Sequence, residues 1–182
     1  MPIKSREKIA KKTKTAAVSG VVKIAGIQMA SGPQVAANLS EAERLIEIAV
    51  NQDAKLVALP EYFAIMGLKD TDKIKAREEE GEGPIQRFLA KMAKKHHIWL
   101  IGGSIPLRAS VASKVRNACL VFDPNGKLAA RYDKVHLFGL DLGSERFREE
   151  DTRERGGGVV VLGTPVGTVG RGSGCGGRGG GV

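Results

Sequence analysis

The sequence predicts an α/β layer fold in which helices pack against a mixed sheet. Short β-rich apolar runs alternate with stretches whose apolar residues recur at helical spacing, and an Asn-Gly turn joins two of the later runs. This order of elements requires both parallel and antiparallel strand pairing. At 182 residues, 42% of them hydrophobic and 27% charged, the chain is expected to form one globular domain.

The first three elements precede Pro60. The run VVKIAGIQM, Val21 to Met29, predicts a buried first strand. NLSEAERLIEIAVNQDA predicts an amphipathic helix, and Ser40 with Glu43 fits the S-x-x-E capping box at its start. The apolar face of this helix comprises Leu39, Ala42, Leu45, Ile46, Ala49 and Val50. KLVALP predicts a short continuous strand that the proline stops.

A second helix, a strand and a hairpin follow a charged stretch at residues 69–82. Pro84 is well placed for a first helical turn. The apolar stripe of this helix comprises Ile85, Phe88, Leu89, Met92 and Ala93. IWLIGGSI, Ile98 to Ile105, predicts the next strand. The turn at Asn125 and Gly126 between NACLVFD and KLAARYDKVHL predicts an antiparallel hairpin.

The formal net charge of +9 is concentrated at the two ends of the chain. Residues 1–20 carry +5 and residues 153–182 carry +3, which leaves +1 for the segment between them. We predict a disordered basic leader at 1–20, a folded body at 21–170 and a disordered glycine-rich tail at 171–182. A nucleic-acid-binding protein with cationic tails is an alternative, but one RGG-like repeat without interleaved aromatics favours it weakly.

The sequence gives no sign of membrane insertion, secretion or disulfide bonding. No apolar run approaches the roughly 18 residues that span a bilayer, and the leader lacks the apolar core of a secretory signal. Cys119 lies in an apolar run and Cys175 among glycines, and the two cysteines give no disulfide framework and no paired metal-ligand spacing. A cytoplasmic protein without a membrane partner is expected.

Three charged residues stand where apolar segments stop. Glu61 directly follows LVALP, Lys134 lies in RYDKVHLF, and Glu149 lies in RFREED. Charged side chains at strand ends can converge in one pocket. The alternative is that they are independent surface charges.

Four further residues have structural interpretations. His96 and His97 lie at the predicted end of the second helix, where histidine complements the helix dipole, and this role is favoured over metal ligation. Cys119 is expected to be a small buried hydrophobe. His136 follows Lys134 by two positions, so in a continuing strand it would line the same pocket.

Several segments resemble the carbon-nitrogen hydrolases of the nitrilase superfamily. They are KIAGIQM, LVALPEYF, GEGPIQRFLAKMAKKHHIWLIGGSIP, NACLVFDPNGKLAARYDKVHLF and TPVGTVG, which run in family order from about residue 22 to 170. YDKVHLF resembles the branch of small-amide hydrolases that includes omega-amidase and the amidases of deaminated glutathione. The resemblance implies an α-β-β-α sandwich that pairs into homodimers. It covers the N-terminal part of the family domain, so about its last third is expected to be missing.

The resemblance also implies a Glu-Lys-Cys site without a metal or organic cofactor. Glu61 matches the general base, Lys134 the lysine of the Y-D-K-x-H-L motif, and Glu149 the supporting glutamate. Cys175 matches the nucleophile by position, but four residues rather than three separate it from Gly170, and Gly-Gly replaces the family's Tyr-Asp. Glycines also replace the apolar strand that would hold this cysteine.

The implied activity is hydrolysis of the amide of a small carboxylated substrate through a cysteine thioester. Nitrile and carbamoyl substrates stay open, because the same thiol attack serves them. The main alternative is a non-catalytic fragment or relative with the same fold.

Overall fold

The computed structural model describes residues 21–142, 145–164 and 167–171. The predicted basic leader at 1–20 and the tail from residue 172 onward lie outside these ranges. Within them, no helix has the length and apolar character needed to cross a membrane.

Six strands form the main sheet, and two hairpins follow it. The sheet comprises β1 (Ile24–Gly26), β2 (Leu56–Ala58), β3 (Trp99–Ile101), β4 (Ile105–Arg108), β5 (Val115–Phe122) and β6 (Leu128–Asp133). The hairpins are β7 (Gly139–Leu142) with β8 (Glu145–Arg148), and β9 (Val160–Thr164) with β10 (Gly167–Arg171). β1, β2 and β3 are parallel, whereas β5 is antiparallel to β3, β4 and β6. The predicted α/β fold with a mixed sheet is confirmed.

The two long helices, α1 (Val35–Asn51) and α3 (Pro84–His96), cover one face of this sheet. A short helix, α2 (Asp72–Lys75), lies between them in the chain, and a 3₁₀ turn spans Glu149–Asp151. α1 and α3 contact each other, and their predicted apolar residues other than Leu45 form the core with the sheet. The proline at the first turn of α3 is confirmed, and His96 and His97 lie at its C-terminal end.

The predicted capping box of α1 is wrong. The helix begins at Val35 with Gln34 as its N-cap, so Ser40 lies inside the helix and caps nothing. The helix extends further towards the N-terminus because the buried Asn38 ties its first turn to the neighbouring loops. The Asn38 Nδ2 donates to the carbonyls of Gly32 at 2.8 Å and Ala64 at 2.9 Å.

The first strand is shorter and less buried than predicted. Ile24 in β1 is 66% exposed, and β1 has a neighbour in the sheet only on its β2 side among the described residues. Alternate residues of this segment, Ala25 and Ile27, pack against the helix-covered core. The Ile24 side chain points to the opposite face, so this segment forms a half-covered edge strand rather than a buried one.

The single strand predicted for Ile98 to Ile105 is broken into β3 and β4. Both pieces pair with the same edge of β5, and the chain kinks between them at Gly102 and Gly103. Gly103 has a φ of 53°, and a Cβ atom there would lie 2.0 Å from the carbonyl oxygen of Pro60. The kink therefore lets the loop after β2 lie directly against the sheet.

The β9–β10 hairpin begins a second β layer on the face opposite the helices. It lies next to β6 and encloses an apolar cavity against the sheet. The cavity is lined by Ile101, Cys119, Val121, Ala130, Tyr132, Val160, Leu162, Thr164 and Val169. Helix, sheet and second sheet thus follow in the order of the expected sandwich, and the described residues contribute one helical layer.

We predict that Gly103→Ala lowers the free energy of unfolding by about 3 kcal/mol, because the new methyl group meets the Pro60 backbone in a left-handed conformation. Gly81→Ala is the matched control, since Gly81 also has a positive φ of 82° but has nothing within 4 Å of the added Cβ. It should lose only about 1 kcal/mol. Urea unfolding of both variants measures the difference, and equal losses would show that the Pro60 contact is relaxed easily.

Candidate functional site

The three charged side chains selected from the sequence meet in one cluster. The Lys134 Nζ lies 3.1 Å from Glu61 Oε1 and 3.0 Å from Glu149 Oε2. The interpretation as independent surface charges is therefore wrong for these residues. Their roles in a reaction are a separate question from this proximity.

The kink between β3 and β4 positions the turn that carries Glu61. Glu61 follows Pro60 at the carboxyl end of β2, in a turn where the Tyr62 backbone N–H donates to Ser104 Oγ at 2.9 Å. Ser104 directly follows the glycine kink, so the kink and the turn are joined by this bond. The Glu61 side chain is 47% exposed and is the most accessible of the three.

Lys134 is held through its backbone directly after β6. Its N–H donates to the Asn117 carbonyl and its own carbonyl accepts from Gly156 N–H, each at 2.9 Å. β6 ends at Asp133, so the prediction that His136 continues this strand beside Lys134 is wrong. His136 lies in an exposed loop, because the chain leaves the sheet after the hairpin.

The β7–β8 hairpin reverses the chain, so that Glu149 lies beside Lys134. The Glu149 backbone N–H donates to the Phe138 carbonyl at 2.9 Å, and its Oε2 accepts from Phe138 N–H at 2.8 Å. Its Oε1 accepts from the Tyr62 hydroxyl at 2.9 Å. With 4% of its surface exposed, Glu149 is a buried carboxylate with both oxygens hydrogen-bonded.

The cluster stabilises the charged forms of its buried members. Burial lowers the pKa of Lys134, but its hydrogen bonds to Glu149 and Glu61 outweigh that effect and the net pKa is raised. Burial likewise acts to raise the pKa of Glu149. The bonds from Phe138, Lys134 and Tyr62, however, leave it below the ordinary value. Both groups are therefore ionised at neutral pH.

Two uncharged residues that the sequence did not single out complete the network. The Asn117 Nδ2 donates to Glu61 Oε1 at 2.7 Å and to the Tyr62 hydroxyl oxygen at 3.1 Å. Burial raises the pKa of Tyr62, so its hydroxyl keeps its proton for Glu149. The available signal for Asn117 was a polar residue directly before the apolar run ACLVF.

A buried pair of cations borders the Tyr62 ring. The Lys73 Nζ lies 3.7 Å from the ring centroid, and the Arg153 guanidinium carbon lies 5.4 Å from it. Arg153 is also 3.6 Å from Glu149 Oε1. Burial and the nearby Arg153 lower the pKa of Lys73 to about 8. A charged stretch without apolar spacing gave no reason to expect a buried lysine in α2.

The proposed nucleophile Cys175 lies outside the described residues. Cys119 is 2% exposed, which agrees with its prediction as a small buried hydrophobe, and it lines the apolar cavity between the sheet and the β9–β10 hairpin. The described part of the chain contains no group of three or more His, Cys, Asp or Glu side chains that could hold a metal ion.

We predict that Glu149→Gln destabilises the protein by about 3 kcal/mol at neutral pH, because Lys134 loses a buried ionised partner. The native pKa of Glu149 lies below 4.5, so its contribution is fully present above that pH and is lost as pH falls through the native pKa. Urea unfolding at several pH values should show the two proteins converging in acid. A constant difference down to pH values well below 4.5 would contradict the assignment.

We predict that ionisation of Lys73 makes stability depend on alkaline pH. Between its native pKa of about 8 and the ordinary value of 10.5, the unfolded chain binds more protons than the native protein. The wild type should therefore gain stability relative to Lys73→Met as pH rises through this window. Lys75→Met is the control, since the Lys75 side chain in the same helix is 77% exposed. Parallel pH curves for wild type and Lys73→Met would refute this prediction.

A family model and individual relatives assign this sequence to the same family. The carbon-nitrogen hydrolase family model matches residues 23–173. A deaminated glutathione amidase of Synechocystis is 40% identical over 119 residues, 65% of this chain and 43% of that protein. The chloroplastic omega-amidase of Arabidopsis thaliana is 37% identical over 137 residues, 73% of this chain and 37% of that protein.

A solved structure agrees with both the family and the fold. Nit3 of Saccharomyces cerevisiae, described as a member of branch 10 of the nitrilase superfamily, superposes with a TM-score of 0.64 at 31% identity. The match covers 76% of this chain and 49% of Nit3. The chain thus spans about half the length of its relatives or less, and over that span it belongs to the carbon-nitrogen hydrolases of the nitrilase superfamily.

Proposed function

We propose that this chain is an amidase that hydrolyses the amide of a small carboxylated substrate through a cysteine thioester. Glu61 is the general base, Lys134 stabilises the oxyanion, Glu149 supports Lys134, and Cys175 is the nucleophile. The observation that carries the proposal is the bridge of Lys134 between Glu61 and Glu149, at 3.1 and 3.0 Å. A fixed ammonium beside an accessible carboxylate is the pair of groups that thiol attack on an amide requires.

The first half of the reaction forms the thioester. Glu61 takes the proton of the Cys175 thiol as the sulfur attacks the carbonyl carbon, because the thiolate rather than the thiol is the nucleophile. The carbonyl oxygen becomes an oxyanion. When the tetrahedral intermediate collapses, the C–N bond breaks, and the nitrogen takes the proton from Glu61 and leaves as ammonia.

The second half regenerates the thiol. Glu61 removes a proton from a water molecule, whose oxygen attacks the thioester carbon. The second tetrahedral intermediate expels the sulfur, which recovers its proton from Glu61, and the substrate leaves as a carboxylic acid. One residue thus serves as base and then acid in each half-reaction.

Lys134 can stabilise the oxyanion because the two glutamates use only two of the three N–H donors of its ammonium. An ammonium carries three N–H donors, of which one points to Glu61 and one to Glu149. The third has no acceptor among the described residues and can bind the oxyanion. The raised pKa of Lys134 keeps this donor charged over the whole neutral range.

The names of the relatives support the proposed substrate class. Proteins named deaminated glutathione amidase and omega-amidase match most of this chain, and both names denote amidases. Nitriles and carbamoyl compounds fit the same thiol chemistry and belong in the substrate panel. The family resemblance further implies a homodimer, which analytical ultracentrifugation of the same sample would test.

We predict that the full chain releases ammonia from small ω-amides and that Cys175→Ala abolishes this release, because the proposed thioester forms on the Cys175 sulfur. Cys119→Ala is the matched control, since that cysteine is 2% exposed and lines the apolar cavity between the sheet and the β9–β10 hairpin. It should retain the wild-type rate. Ammonia is measured for all three proteins on one panel of amides, with nitriles included.

Two results would contradict the proposal. Ammonia release that survives Cys175→Ala would place the nucleophile elsewhere. A folded wild type that releases no ammonia from any compound would favour the alternative, a non-catalytic relative of the same fold.

A further inference from the structure

Asn117 contacts two members of the proposed triad. Its Nδ2 donates to Glu61 Oε1 at 2.7 Å, and its backbone carbonyl accepts from the Lys134 N–H at 2.9 Å. It lies in the central strand β5 and is 4% exposed. A single residue in the most extensively paired strand of the sheet therefore touches both the proposed base and the proposed oxyanion donor.

The orientation of the Asn117 amide is fixed by its partners. An ionised carboxylate only accepts hydrogen bonds, so the NH₂ group must face Glu61. The Tyr62 hydroxyl uses its proton on Glu149, at 2.9 Å, and so accepts the second Asn117 N–H at 3.1 Å. Both amide protons are thus committed, one to each neighbour.

This orientation leaves a buried polar atom unsatisfied. Among the described residues, no donor reaches the Asn117 Oδ1, although the atom is inaccessible to solvent. An unpaired buried carbonyl costs free energy, so stability alone does not favour a polar amide here. The hydrogen bond that the same amide donates to Glu61 is the feature that explains why this cost is tolerated.

The two oxygens of Glu61 are consequently unequal. Oε1 accepts from both Asn117 and Lys134, at 2.7 and 3.1 Å, whereas no described residue donates to Oε2. We infer that Asn117 is a positioning residue that fixes the Glu61 carboxylate so that Oε2 is the oxygen that takes the proton of the nucleophile. This inference rests on the proposed amidase function, in which Glu61 is the base.

A spectroscopic test examines the contact without requiring activity. In ¹H–¹⁵N spectra of the full chain, one side-chain amide proton of Asn117 should move upfield in Glu61→Gln, because it loses an ionised acceptor. Asn38 is the internal control, since its Nδ2 is equally buried but donates to backbone carbonyls. Its resonances should not move. Unchanged Asn117 resonances in Glu61→Gln would overturn the inference.

A kinetic test separates positioning from stability. Asn117→Ala should lower kcat on the order of 100-fold with a much smaller change in KM, because a base misplaced by about 1 Å loses rate rather than binding. Asn117→Asp keeps the shape but offers no N–H to Glu61 and should lose a similar factor. Asn38→Ala removes a comparable buried amide away from the triad and should lower the unfolding midpoint while kcat is retained.

The outcomes distinguish this inference from the proposed function. Retention of wild-type kcat in folded Asn117→Ala would overturn the positioning role. If the wild type released no ammonia, the proposed function would fail. The spectra alone would then test whether Asn117 donates a hydrogen bond to Glu61.

Discussion

The bridge of Lys134 between two carboxylates is the interaction on which the site depends. Without the ammonium, Glu61 and Glu149 would face each other as like charges at the edge of a low-dielectric core. The Phe138 N–H and the ammonium together hold the pKa of Glu149 below its ordinary value although this residue is 4% exposed. The two carboxylates in turn raise the pKa of Lys134 despite its burial. The buried charges of Lys134 and Glu149 stabilise each other, and the half-exposed Glu61 gives the lysine a second carboxylate partner.

The fold supplies this cluster from three separate places. The glycine kink between β3 and β4 seats the turn that carries Glu61, the β5–β6 hairpin delivers Lys134, and the β7–β8 hairpin returns Glu149. In each place, hydrogen bonds to the backbone at or beside the residue fix its position. This explains why residues distant in sequence can be held at hydrogen-bond distance.

Periodicity and position in the sequence predicted the two long helices, the mixed sheet and the three charged residues, because burial patterns and strand ends are local signals. The kink at Gly103 was not predicted, since its cause is the Pro60 carbonyl some forty residues earlier in the chain. The capping box at Ser40 failed for a similar reason, because Asn38 makes tertiary contacts that move the helix start. Asn117 was missed because only its partners reveal its role.

Hydrogen-bond direction assigns different tasks to the two carboxylates. Both oxygens of Glu149 accept bonds, from Tyr62 on one side and from Phe138 and Lys134 on the other, and its pKa is lowered, so it is a poor proton acceptor. Glu61 concentrates its two bonds on Oε1 and is half exposed. In the proposed reaction, two glutamates within reach of one lysine therefore cannot exchange roles. The buried one fixes the charge of the lysine, and the accessible one moves the proton.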